Sequence, residues 1–119
     1  MSYVDGFVLA VEKSRIDEYK AFSLKWSGFW MDNGATSYVE CVGDDTPVGE
    51  VTSFPRAVQA KDDEVVVMSW ITYPSKEIRD AVNRKMMEEA PDAPSDMPFD
   101  GKRMFFGGFT PLIELGKGA

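Results

Sequence analysis

Arg56, Lys102 and Arg103 are the side chains of this sequence best suited to holding an anion. Arginine can grip a carboxylate with two parallel N–H groups, and lysine adds a point charge. The competing role is internal: pairing with Asp44, Asp45, Asp96 or Asp100 would hold loops onto the domain. Glu40 and Asp100 could serve as general bases if desolvated. Tyr38, Trp70 and Phe106 could form the aromatic wall of a small-molecule pocket, or pack as core. The candidate ligand-binding set is therefore Tyr38, Glu40, Arg56, Trp70, Asp100, Lys102 and Arg103, with no catalytic residue assignable.

Other chemistries lack their residues. The chain has no histidine, which removes His-ligated zinc, proximal-His haem and any Ser–His or Cys–His nucleophile pair. Cys41 is the single cysteine, so no intramolecular disulfide can form. It falls within an expected strand with no cationic neighbour in sequence to activate it, and is read as a packed thiol. Ser53 has no visible base. Asp44 and Asp45, with Glu40 or Asp100, could offer oxygens to a hard cation. Adjacent carboxylates in a Gly/Pro turn are more simply solvated, and no metal or cofactor is expected.

The 119 residues carry 20 acidic and 13 basic side chains, a net charge of −7. Counterion release on a phosphate backbone needs clustered cations, and these are scattered, so no nucleic acid is expected as a partner. Residues 1–119 are expected to form one domain, long enough to bury roughly two-thirds of the unfolded surface. No basic leader segment and no run of ~18 apolar residues is present, so the expectation is a cytoplasmic protein with no membrane span.

The elements that would position these residues follow from periodicity. Residues 3–11 place Phe7, Leu9 and Val11 on one parity and Val4, Val8 and Ala10 on the other, as in a central strand covered on both sides. Residues 13–33 switch to helical period, with Ser14 as N-cap, Asp17 and Glu18 in the first turn and Gly34 beyond the end. Ile16, Tyr19, Ser23, Trp26 and Trp30 share its buried face, widened by Phe22 and Phe29. Leu24, Gly28 and Met31 form a second, weakly apolar strip, either exposed or meeting another subunit.

Residues 35–42 form the second strand, with Tyr38, Glu40 and Val42 on one face. The connection 48–63 is long, and Val51, Phe54, Ala57 and Val58 predict that it is docked, with a turn of helix capped by Thr52 or Ser53. Residues 64–73 are the strongest strand. Pro74 and Ser75 then lead into a helix over 76–90, with Ile78, Ala81, Val82 and Lys85/Met86 buried. Pro91, Pro94 and Pro98 keep the next loop out of helix and sheet. The last strand is expected over 103–115, with Gly107-Gly108 marking a bulge, a ligand or a close backbone. Residues 116–119 would be a frayed tail.

The order β-α-β-β-α-β is the split βαβ pattern of a ferredoxin-like antiparallel sheet, an α+β fold with two helices on one face. The second face needs a cover, which sheet-to-sheet dimerisation into an α/β barrel would supply.

Long stretches also resemble one family. They are Tyr3-Val4-Asp5-Gly6-Phe7, Glu40-Cys41-Val42-Gly43-Asp44-Asp45, residues 51–58, Ser69-Trp70-Ile71-Thr72-Tyr73-Pro74-Ser75, and residues 97–104 followed by Gly107-Gly108-Phe109. The sequence is similar, from residue 3 to 115, to the domain-of-unknown-function family of bacterial YbaA-like proteins in the dimeric α/β-barrel superfamily. The resemblance implies a ferredoxin-like homodimer and no established reaction. Its pattern more often has a small or charged residue where this chain has Leu24, Trp26 and Met31.

The expectation is thus a homodimer binding a small anionic or aromatic molecule between sheet and loops. The alternatives are a cofactor-independent oxygenase- or isomerase-like enzyme, by fold analogy, and a purely structural dimerisation module.

Overall fold

Strand β1 (Tyr3–Glu12), apolar on both parities, lies inside the sheet of the computed structural model, which describes residues 2–89 and 97–117. It pairs antiparallel with β3 (Glu64–Tyr73) on one side and β4 (Phe105–Phe109) on the other. Strand β2 (Ser37–Val42) extends the sheet beyond β3, giving the order β2-β3-β1-β4 with every neighbour antiparallel. Between the strands run α1 (Ile16–Asp32), the single turn α2 (Phe54–Ala57) and α3 (Lys76–Glu89). This is the ferredoxin-like α+β fold expected from the pattern.

Alternation along the strands sorts the core into two faces. Leu9, Val11 and Val67 pack with Tyr19 of α1, and Ile71 and Tyr73 pack with Val82 of α3. The opposite parity, Val8, Ala10 and Val66, is covered at one end by Val58 and Ala60 of the connection after β2. That connection is ordered and docks through Val58 and Ala60, whereas Val51, Phe54 and Ala57, expected to dock with Val58, are exposed. Ser53 caps α2 by accepting a hydrogen bond from the Arg56 N–H at 3.1 Å, with Pro55 in the first turn. Phe54 of α2 lines a recess with Cys41, Val66 and Met68 on this face, and beyond it Trp70, Phe105 and Phe109 lie on the parity opposite α1 and α3. Met68 is 39% and Phe109 62% exposed.

Several local expectations change. No side chain caps α1; the turn Lys13–Arg15 leads into it and Ser14 lies within that turn. Asp17 and Glu18 do fall in its first turn, where the macrodipole favours them. Gly34 follows the helix with φ +132°, and a Cβ there would stand 2.7 Å from an Ile78 methyl, so backbone and close packing both call for glycine. Ser75 accepts from the Ile78 N–H at 3.2 Å.

On α3, Val82 is buried, but Ala81 is exposed and Ile78 only partly covered. The helix is turned so that Arg79 faces the sheet. Strand β4 stops at Phe109 rather than 115, because Pro111 cannot donate to the ladder, and Leu112, Ile113 and Leu115 stand in solvent. Cys41 is exposed, not packed, since β2 is an edge strand and the cysteine points to the uncovered face. The loop at Pro91 and Pro94, the helix end at Ala90, the partner Asp96 and the last two tail residues lie outside the described residues.

The Arg79 guanidinium meets the buried carboxylate of Asp5 through Nε (3.1 Å to each oxygen) and Nη2 (2.9 Å), and reaches Asp80 at 2.9 Å. It also lies over the Tyr3 ring, 5.1 Å from the centroid. Hydrogen bonding to Asp5 pushes the pKa of Arg79 above its already high value. Gly108 faces this group across β1: a Cβ there would run into the Tyr3 hydroxyl and stand 2.7 Å from Nη2. Room for the ion pair is thus what Gly108 provides.

Candidate functional site

Glu40 lies on β2 between two strand neighbours of the same parity, Tyr38 and Val42, facing α1. Strand alternation sends it under the helix, and there it is half-buried. Two phenols meet it. Tyr19, on the sheet-facing stripe of α1, donates to Oε1, and Tyr38 donates to Oε2 at 3.0 Å. One turn along α1 from Tyr19, Ser23 stands beside both rings.

This cluster sits where two cavities meet. The outer one, about 830 Å³, runs between α1 and β2, lined by Leu24, Ser27, Met31 and Val42 among others. The inner one, about 320 Å³, lies under α1 and is walled by Phe22, Trp26, Trp30, Met86, Phe99 and Met104. Tyr19, Ser23, Tyr38 and Glu40 line both. The inner rings pack edge to face, with Phe99 against Tyr19 at 5.8 Å and against Phe22 at 6.0 Å. An apolar space with a few converging polar groups is the usual form of a small-molecule site.

Burial pushes both tyrosine hydroxyls well above the ordinary phenol value of 10.0, and the adjacent Glu40 adds to it by hydrogen bonding and by charge. Burial raises Tyr73 in the same sense. A raised folded-state pKa means that the native protein holds these protons more tightly than the unfolded chain. The stabilisation is complete below pH ~10 and is lost as pH rises from there toward the folded values. The denaturation midpoint should therefore stay level up to about pH 9.5 and fall above pH 10. In a Tyr19→Phe/Tyr38→Phe double variant the alkaline slope should be shallower; an unchanged slope would show that these hydroxyls are not coupled to folding.

The sequence-predicted residues do not gather in one place. Tyr38 and Glu40 are in the cluster. Trp70 is on the opposite parity of β3, paired with Gly6 and Val39, and so faces away from it. Phe106 is on the helix side, packed on Phe7 with centroids 6.1 Å apart, so Tyr38, Trp70 and Phe106 do not form one wall. Arg56 is exposed, and its guanidinium donates to the carbonyls of Val48 (2.9 Å) and Gly49 (3.1 Å), tying its own loop.

Arg103 grips Glu64 with two N–H groups, at 2.7 and 2.6 Å, and reaches Asp100 at 3.0 Å and the Gln59 carbonyl at 2.9 Å. The hydrogen bond from Arg103 lowers the pKa of Glu64. Lys102 is exposed, its backbone N–H donating to Asp100 at 3.0 Å. Segment 97–104 thus reaches the cavity through apolar Phe99 and Met104, while its charges turn away. Among the described residues no group of three or more Asp, Glu or Cys is placed to hold a metal ion.

Sequence reasoning assigned Tyr19, Ser23 and Trp26 to a buried helix face without giving them a role. The available signal was two hydroxyls four residues apart on a sheet-facing stripe, opposite a strand that carries Glu40 on its inward parity.

A family model described as "Protein of unknown function (DUF1428)" matches residues 2–101. The chain belongs to that family. The Uncharacterized protein YbaA of Escherichia coli K12 is 48% identical over 116 residues, spanning 96% of this chain and 99% of the relative, and the YbaA of Shigella flexneri matches to the same extent. Among solved structures, an MhuD mutant with two manganese protoporphyrin IX molecules bound per active site aligns with TM-score 0.58 and 10% identity, over 97% of this chain and 99% of that one. A mutant of SnoaB, a cofactor-independent oxygenase from Streptomyces nogalater, aligns at 0.56 and 10%, over 98% of both chains. A dimeric ferredoxin-like protein from an uncultured marine organism aligns at 0.56 and 8%, over 97% and 100%. At such identities the DUF1428 chain shares a fold with them and nothing finer. No helix of the described residues is long and apolar enough to cross a membrane.

Proposed function

We propose that this protein is a homodimer, its two sheets meeting through the uncovered face, and that each subunit binds a small, mainly apolar molecule between α1 and the sheet. The observation that carries the binding reading is Glu40, held by the buried Tyr19 and the half-buried Tyr38 at the junction of two cavities, of which the smaller has mainly apolar and aromatic walls. A half-buried carboxylate costs free energy unless its partners reward it, and it gives a ligand one polar point to align on. Support for the dimer comes from the exposed apolar side chains Met68, Phe105 and Phe109 on the parity opposite the long helices, a surface that a second sheet would cover. A cytoplasmic location belongs to the same reading, because an exposed free thiol such as Cys41 persists in a reducing compartment.

The expected ligand position moves from the loops to the helix side of the sheet. An enzymatic role would need a reacting group brought to Glu40 beside its two phenol partners, so binding is the simpler function of this geometry.

Native mass spectrometry of protein purified from its own host tests the proposal, with Ser23→Phe as the companion variant. Ser23 is small and lines both cavities, so a phenyl ring there should occupy the junction without touching the open sheet face. The expected result is a dimer carrying a reproducible small-molecule mass, with Ser23→Phe a clean dimer that has lost it. A ligand mass retained in Ser23→Phe would move the site elsewhere, and a monomer would sink the dimer.

A further inference from the structure

The chemistry of the junction narrows what it can hold. Resting on the binding reading above, we infer that the ligand is a neutral aromatic molecule bearing a hydrogen-bond donor, a phenol or hydroxyarene, which donates to Glu40. A carboxylate has about four acceptor positions on its two oxygens and no donor. Tyr19 takes one position on Oε1 and Tyr38 one on Oε2, leaving each oxygen able to accept again. Both hydroxyls have their protons directed at Glu40, so the cluster faces an incoming group chiefly as an acceptor.

An anionic ligand meets the reverse of what it needs. The carboxylates on the cavity walls are Glu40 and Asp17, and Lys20 is the one cation lining either cavity as described. The guanidiniums that could have bound an anion are engaged elsewhere: Arg103 on Glu64 and Asp100, Arg79 on Asp5, and Arg56 on its own loop carbonyls. Bringing a second negative charge to Glu40 in a partly dry cavity would be repulsive. The aromatic preference comes from the inner walls. Phe22, Trp26, Trp30 and Phe99 present rings at tilted and edge-on angles, which suit a flat ring system placed among them. A two-ring molecule is within the size that a chamber of about 320 Å³ accommodates.

Four probes that share a ring system but differ in the polar group test this: naphthalene, 1-naphthol, 1-methoxynaphthalene and 1-naphthoate. Each would be titrated into the intact protein and a Glu40→Gln variant, following quenching of the tryptophan fluorescence, to which Trp26 and Trp30 of the cavity wall contribute, and confirming by calorimetry. The expected result is that 1-naphthol binds at least tenfold tighter than 1-methoxynaphthalene, that naphthoate binds weakest, and that Glu40→Gln compresses the naphthol preference below threefold while relieving the naphthoate penalty. Naphthol affinity should also fall as pH rises through the ligand's own phenol pKa, whereas naphthalene affinity should not.

Equal binding of all four probes, or naphthoate binding tightest, would overturn the donor assignment while leaving a ligand cavity in place. Failure of every probe to bind or to quench would defeat the cavity itself, and this inference with it. A Glu40→Gln variant that keeps its melting temperature and the full naphthol preference would also overturn the assignment.

Discussion

Arg79→Ala is expected to destabilise the protein by about 3–5 kcal/mol, the usual cost of removing one partner from a buried ion pair. The Asp5 side chain is only 7% exposed and Arg79 20%, so solvent does little to replace the lost guanidinium. Asp5 sits on the central strand, paired with Ile71 and Gly108 on the two flanking strands. The loss extends beyond charge: the aliphatic stem packs α3 against the sheet, and the guanidinium covers the Tyr3 ring. Against a typical domain stability of about 5–15 kcal/mol, such a change should lower the melting temperature by roughly 10 °C or more.

Arg79→Lys should fall between, because a lysine keeps the charge but loses the fork that reaches Asp5 with Nε and Nη2 together. The decisive comparison is Asp5→Leu/Arg79→Met. If the penalty of Arg79→Ala reflects a stranded charge, the double variant should recover much of it, since it leaves no buried charge on the strand. Thermal and urea melts of the three variants measure this. An Arg79→Ala protein within 1 kcal/mol of the parent would show that Asp5 is solvated after all.

That ion pair also marks the limit of sequence reading here. The succession of strands and helices and the shared face of Tyr38, Glu40 and Val42 were legible, because hydrophobic period is a local property and β1 and β3 are strongly patterned, while which face turns inward was not. Asp5 and Arg79 are 74 positions apart, and nothing near either announces the other. Arg79 even lay beside the expected apolar stripe of its helix, and a rotation of less than one residue spacing decides which of Ile78, Arg79 and Ala81 faces the sheet. The charges of segment 97–104 mislead for a related reason. Arg103 and Lys102 look available in sequence, yet Glu64, from the start of a distant strand, engages Arg103 twice. The cluster at Glu40 was half visible: its strand residues were named, while Tyr19 and Ser23 looked like ordinary members of a buried helix face.

Trp70→Glu is the second change with a large expected effect, and it acts on assembly rather than on the fold. Trp70 is half-buried on the uncovered parity of β3, beside Gly6, with Met68 along the strand. In a two-fold dimer that joins these faces, one substitution removes an aromatic anchor from both subunits and places two new carboxylates within a dry, shared layer. Each subunit already carries a net charge of −7, so repulsion adds to the lost burial. Aromatic residues at the centre of an interface commonly contribute about 2 kcal/mol or more each, and a hundredfold change in affinity corresponds to about 2.7 kcal/mol. The variant should therefore weaken dimerisation at least about a hundredfold, read by sedimentation across a dilution series, with far-UV circular dichroism showing the fold retained.

Leu24→Glu is the matched control. Leu24 is 65% exposed and Met31 45% exposed on the outer strip of α1, the other apolar surface that could meet a second subunit. With the sheets as the interface, Leu24→Glu leaves the dimer intact and Trp70→Glu dissociates it. The reverse pattern would place the partner on α1, over the mouth of the outer cavity. Met68, Phe105 and Phe109, 39%, 46% and 62% exposed, would then remain without a partner on the open sheet face.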